Sequence, residues 1–70
     1  MAKTTTPKLP KQPDLKRLNW YYLQKAMYAA WAIFDTPATK EEGRTRIKAV
    51  YAEYARRGVE NVVLPDPVRQ

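Results

Sequence analysis

Residues 18–34 read LNWYYLQKAMYAAWAIF, and only Asn19, Gln24 and Lys25 among them are strongly polar. Coiled as a helix, this stretch is apolar nearly all the way round. A helix that rests on one neighbour needs one apolar stripe, whereas one apolar on several sides must be covered on several sides. The chain has 70 residues, so it forms one small domain at most. Part of this helix is therefore expected to face something outside its own fold.

The usual reinforcements of a small fold are missing. Below roughly 70–80 residues a single core seldom supplies more than ~3–5 kcal/mol. The chain has no cysteine, hence no disulfide and no thiolate metal site. It has no histidine, which removes the commonest general base and the commonest metal ligand. Stability must then come from tight helix packing, self-association or docking on a partner.

Thirteen Lys and Arg against seven Asp and Glu give a net charge of +6. Lys3, Lys8, Lys11, Lys16 and Arg17 face only Asp14 in the first 17 residues. Arg44, Arg46, Lys48, Arg56 and Arg57 face only Glu53 across residues 44–57. Such a balance draws acidic partners without choosing among nucleic acid, anionic membrane and acidic protein. No apolar run follows the first lysines, so no secretory signal is expected there. A helix over 18–34 would reach ~25 Å, short of the ~30 Å hydrocarbon core, and Lys25 near its middle would be costly there. No transmembrane segment is expected, and a cytoplasmic or virion- or assembly-associated location follows.

Residues 1–13 form a basic, Pro-rich arm. Pro7, Pro10 and Pro13 recur every third position, which suits polyproline II and excludes a regular helix. An SH3-type ligand would need a flanking basic residue, but Thr4 and Gln12 are uncharged. Asp14 is placed to cap a first helix over about 14–34. Asp35-Thr36-Pro37 then breaks the pattern. A second helix follows over about 37–57, capped by Thr36 with Pro37 in its first turn, or by Thr39 with Glu42 completing a capping box. Gly43 weakens its early turns, and Gly58 is the left-handed stop. Residues 59–70 form a second arm, β-prone at Val62, Val63 and Leu64 and interrupted by Pro65 and Pro67. The fold class is thus all-α: an antiparallel two-helix hairpin over 14–58 with extended N- and C-terminal arms.

Ile47, Val50, Tyr51 and Tyr54 give the second helix one apolar stripe. The first helix divides into three sectors. Trp20, Leu23, Met27, Ala30, Trp31 and Phe34 form the first, which matches the partner's stripe. Leu18, Tyr22, Ala26, Ala29 and Ile33 form the second, and Tyr21, Gln24, Lys25, Tyr28 and Ala32 the third. The second sector is the open question. Either Val59, Val62, Val63 and Leu64 fold back over it, or a partner or second copy covers it. Left bare, it would make an apolar patch of a few hundred Å², the size that marks an interaction site.

No catalytic constellation is present. Thr, Tyr and Lys are the available nucleophiles, with no His or Cys to activate them. Glu41 and Glu42 suit the dipole of a helix start, and Glu42–Arg46 and Glu53–Arg57 are ordinary i,i+4 pairs. No phosphate loop or metal-binding spacing occurs, so neither enzyme nor cofactor is expected. Small, cysteine-free, basic helical chains are common among phage-encoded inhibitors and accessory subunits; the likeness is one of size and composition and carries no motif.

The expected function is therefore a non-enzymatic protein-binding module, an inhibitor, adaptor or accessory subunit. It would contact a larger partner, or a second copy, through Leu18, Tyr22, Ala26, Ala29 and Ile33, with Val62, Val63 and Leu64 from the arm. The alternative is a DNA- or RNA-binding protein, or a nucleoprotein subunit. It would use Lys3, Lys8 and Lys11 of the arm with Arg44, Lys48 and Arg56, the last three an arc on helix two expected to carry no acid, while Tyr21 and Tyr28 stack on bases. A third reading is peripheral membrane attachment through the aromatic helix.

Overall fold

The computed structural model describes residue 9 and residues 11–69. Lys3, Lys8, Pro7 and Pro10 of the arm lie outside the described residues. Two helices, α1 (Trp20–Phe34) and α2 (Lys40–Arg56), form an antiparallel hairpin, and a short α3 (Asp66–Arg69) follows. No strand occurs among the described residues.

The first helix starts later than Asp14 suggests. Asp14 does cap, accepting from the Lys16 N–H at 3.2 Å, but only a single 3-10 turn, Leu15–Arg17. Leu18 and Asn19 are then extended, and Asn19 Oδ1 accepts from the Tyr22 N–H at 2.9 Å to open α1. An Asn side chain that satisfies a first-turn donor is worth more as a cap than as an interior residue. The break leaves Leu15 buried as a separate anchor.

The connection also departs from both expected caps. Pro37 opens a 3-10 turn, Pro37–Thr39, as its fixed φ favours. The Thr36 hydroxyl, however, donates back to the Ala32 carbonyl at 3.2 Å. The buried Thr39 hydroxyl donates to the Ile33 carbonyl at 2.8 Å, so it closes the end of α1 instead of capping α2. Glu42 completes no capping box; it pairs with Arg46. At the far end Gly58 has φ +90°. Its N–H bonds the Ala55 carbonyl and the Val59 N–H the Tyr54 carbonyl, both at 3.0 Å, the paired bonds of a Schellman stop.

The core joins Leu23, Met27, Ala30 and Phe34 of α1 to Ile47 and Val50 of α2. These are first-sector residues facing the expected stripe; of the same sector, Trp31 is half-buried against the core and Trp20 is 53% exposed. Val68 of α3 is completely buried in the same cluster, and Leu64 packs at its edge. The arm expected to be extended therefore turns at Glu60 and Asn61, where Asn61 has φ +59°, and ends in a four-residue helical turn. Pro67 blocks a strand but fits a helix's first turn, and that turn delivers Val68.

Gly43 of α2 lies directly against the Phe34 backbone of α1. A Cβ there would lie 2.2 Å from the Phe34 nitrogen and 2.4 Å from its Cα. Those are backbone atoms and cannot swing aside. Helix propensity alone would make Gly43→Ala stabilising by about 1 kcal/mol. Overpacking of this kind costs about 1–3 kcal/mol, so the crossing reverses the sign. Gly43→Ala is expected to lower the urea midpoint; a raised midpoint would show that the helices do not touch at this position.

Candidate protein-docking groove

Four of the five second-sector residues, Leu18, Tyr22, Ala26 and Ala29, line one open groove of about 390 Å³. Tyr22 is 53% exposed and Ala29 is exposed, while Leu18 and Ala26 are half-buried. Ala30 contributes to the deep side. The opposite walls come from Lys11, Gln12 and Pro13, and from Arg46 of α2. Lys25 of α1 completes the rim. The N-terminal segment therefore passes beside α1 without filling the space between them.

Three sequence-derived contact residues lie elsewhere, and a fourth stands apart from the groove. Leu64 packs against the core, Val62 is half-buried, and Val63 is 65% exposed. None of them lines the groove, nor does Ile33. The arm therefore does not fold back over Leu18 and Tyr22 as one reading supposed; it goes to α2 through α3. Tyr21 and Tyr28, exposed by 59% and 64%, occupy the adjoining face of α1. Lys25 Nζ lies 5.0 Å from the Tyr21 ring centroid, and Gln24 donates to the Tyr28 hydroxyl at 3.1 Å.

A charged clamp holds the segment that walls the groove. Glu53 is buried at 5% exposure. It accepts from Arg56 Nε at 2.8 Å and Nη2 at 2.5 Å, and from Arg57 Nε at 2.6 Å. The Arg57 guanidinium then donates to the Leu15 carbonyl at 3.0 Å and the Leu18 carbonyl at 2.5 Å, across some forty residues of sequence. Its carbon also stands 5.0 Å from the Trp20 ring centroid, and Trp20 stacks on Tyr54 at 5.9 Å. Burial, before any neighbouring charge, pushes the Tyr54 phenol above its ordinary value. An i,i+4 pair that sequence alone values as a surface decoration is thus the tie between α2 and the start of the chain. The isolated apolar Leu15 in DLKR was the available sign that this segment docks.

The basic arc expected on helix two is not free of acid. Arg44 bonds Glu41 at 2.6 Å, its side chain is 18% exposed, and its guanidinium lies over the Phe34 ring. Arg56 is held by Glu53. Both acids stand three residues before their arginines, a spacing that pairing at i,i+4 alone leaves out. Lys48 and Lys11 are exposed and form no ion pair among the described residues.

A second hollow of about 410 Å³ lies on the other side of the N-terminal segment, over Ala49 and Ala52 of α2. Glu53 and Arg56 on its lining are already engaged with each other, and Gln12, Asp14 and Lys16 make up the rest of its polar lining. Among the described residues no group of three or more His, Cys, Asp or Glu could hold a metal ion, and no helix is long and apolar enough to cross a membrane. No protein-family model, curated protein or solved structure matches this chain.

Hydrogen bonds from Arg56, then from Arg57, hold the Glu53 carboxyl at about 2 against an ordinary 4.5. A depressed folded pKa adds stability above the unfolded pKa, and that stability is lost as pH falls toward the folded value. Thermal stability is therefore expected to decline between pH about 4.5 and about 2. Glu53→Gln should flatten that decline and lower the melting temperature at neutral pH. An unchanged acid profile in the variant would show that the clamp does not tie folding to Glu53.

Proposed function

We propose that this chain is a small non-enzymatic protein-binding module, acting by occupying a partner's surface as an inhibitor, an adaptor or an accessory subunit of a larger assembly. A cytoplasmic or virion-type setting fits that role. One observation carries the reading: α1 keeps an apolar groove over Leu18, Tyr22, Ala26 and Ala29 after every described segment has packed. Concave apolar surface with a few polar groups at its edge is the usual form of a binding site.

The groove suits a protein side-chain surface better than a phosphate backbone, because its floor offers methyl and aromatic groups and no array of unpaired arginines. The nucleic-acid alternative draws less support, since Arg44 and Arg56 are engaged by Glu41 and Glu53. Aromatic residues dominate most interfaces, which makes Tyr22 the best single anchor.

Its removal tests the reading. Tyr22→Ala is expected to keep the helical circular dichroism and to weaken partner binding by more than ~1 kcal/mol. A photo-crosslinking residue at Ala29 should trap a discrete protein adduct that is lost in the Tyr22→Ala background. Adducts to nucleic acid, adducts indifferent to Tyr22, or loss of helix in the variant would each contradict it.

A further inference from the structure

We infer that the occupant of the α1 groove is an acidic amphipathic helix of a partner protein. Its apolar stripe lies on Leu18, Tyr22, Ala26 and Ala29, and its carboxylates face Lys11 and Lys25. This rests on the protein-binding reading above and specifies the partner's chemistry.

Shape and charge both point that way. Ala26, Ala29 and Ala30 present only methyl groups, so the backbone of a rod-like ligand can come close. Tyr22 gives the ligand's larger side chains an amphipathic ring to pack on. Two cations stand at its edge, Lys11 from the N-terminal segment and Lys25 from α1, while Arg46 from α2 is already paired with Glu42. Among the described residues no carboxylate lines the groove. Lys11 and Lys25 enter no ion pair among the described residues; the Lys25 ammonium lies over the Tyr21 ring and keeps its charge uncompensated by a carboxylate.

A second copy of this chain meets the apolar requirement but not the electrostatic one. Each copy carries +6, and two grooves face to face would bring Lys11 and Lys25 against their own kind. A nucleic acid meets the electrostatic requirement but sets a charged backbone on an apolar floor, which desolvates phosphates without pairing them. An amphipathic helix with glutamate or aspartate beside its apolar stripe meets both.

Two helical peptides of about 18 residues, ~27 Å long, make the test. They share one apolar i, i+3, i+4, i+7 stripe; glutamates flank it in the first and lysines in the second. Each is titrated at ~0.1 M salt into the isotope-labelled full chain, with a mixed-sequence DNA duplex as a third arm. The acidic peptide should bind roughly tenfold tighter than the basic one and shift the amides of Ala26 and Ala29. The double variant Lys11→Glu, Lys25→Glu changes two exposed side chains and should invert that preference.

Equal binding of both peptides at the groove would overturn the acidic assignment and leave the protein-docking reading standing. Binding of neither peptide would overturn both. So would DNA shifting the same amides more strongly than the acidic peptide. Shifts at Ala26 and Ala29 that grow with the chain's own concentration, without peptide, would make the occupant a second copy and overturn the inference.

Discussion

A helix covers one sector of its neighbour, and α2 covers the sector of α1 that holds Leu23, Met27, Ala30 and Phe34. Everything else about this fold is a response to the apolar surface left over. The crossing at Gly43 brings α2 against the Phe34 backbone, with no room there for a side chain. The flanking segments then add Leu15 from one side of the sequence and Val68 from the other. They complete a core that two helices alone would leave thin. The N-terminal flank borders the face of Tyr22 and Ala29 without covering it.

The clamp around Glu53 explains why that face is a groove and not a flat strip. Arg57 holds the carbonyls of Leu15 and Leu18, and this pins the residues just before them alongside the hairpin. Lys11, Gln12 and Pro13 then stand as a wall beside α1. A buried carboxylate shared by two arginines is costly to assemble and fails when one member is removed. Here its position couples the shape of the docking surface to the folding of α2. The ionisation that stabilises the hairpin is also the one that shapes the groove.

Much of this was legible in the pattern of side chains. The hairpin, the first sector as core, the stop at Gly58 and the turn at Pro37 follow from periodicity and from local backbone chemistry. What was not legible depends on contacts distant in sequence. Glu53–Arg57 reads as a solvent-facing pair until the Leu15 and Leu18 carbonyls are brought to it. Gly43 reads as a helix weakener until Phe34 lies against it. Val68 reads as part of a tail until the proline-bounded turn folds it inward. The cap at Asn19 was readable, since Asn before an aromatic run is a start signal, but Asp14 offered a competing one. The second sector was identified from the helical wheel at Leu18, Tyr22, Ala26 and Ala29. Ile33 shares its angle but not its surroundings, because it lies one turn beyond the groove's walls.

Methyl relaxation of the dilute chain by a neutral paramagnetic cosolute measures whether that sector is open in a single copy. The Ala29 methyl is expected to relax about as strongly as that of exposed Ala32, with Ala26 intermediate and Ala30, Leu23 and Ile47 protected. An Ala29 methyl as protected as Ala30 at every dilution would mean that the chain shelters its own second sector, and no docking surface would remain.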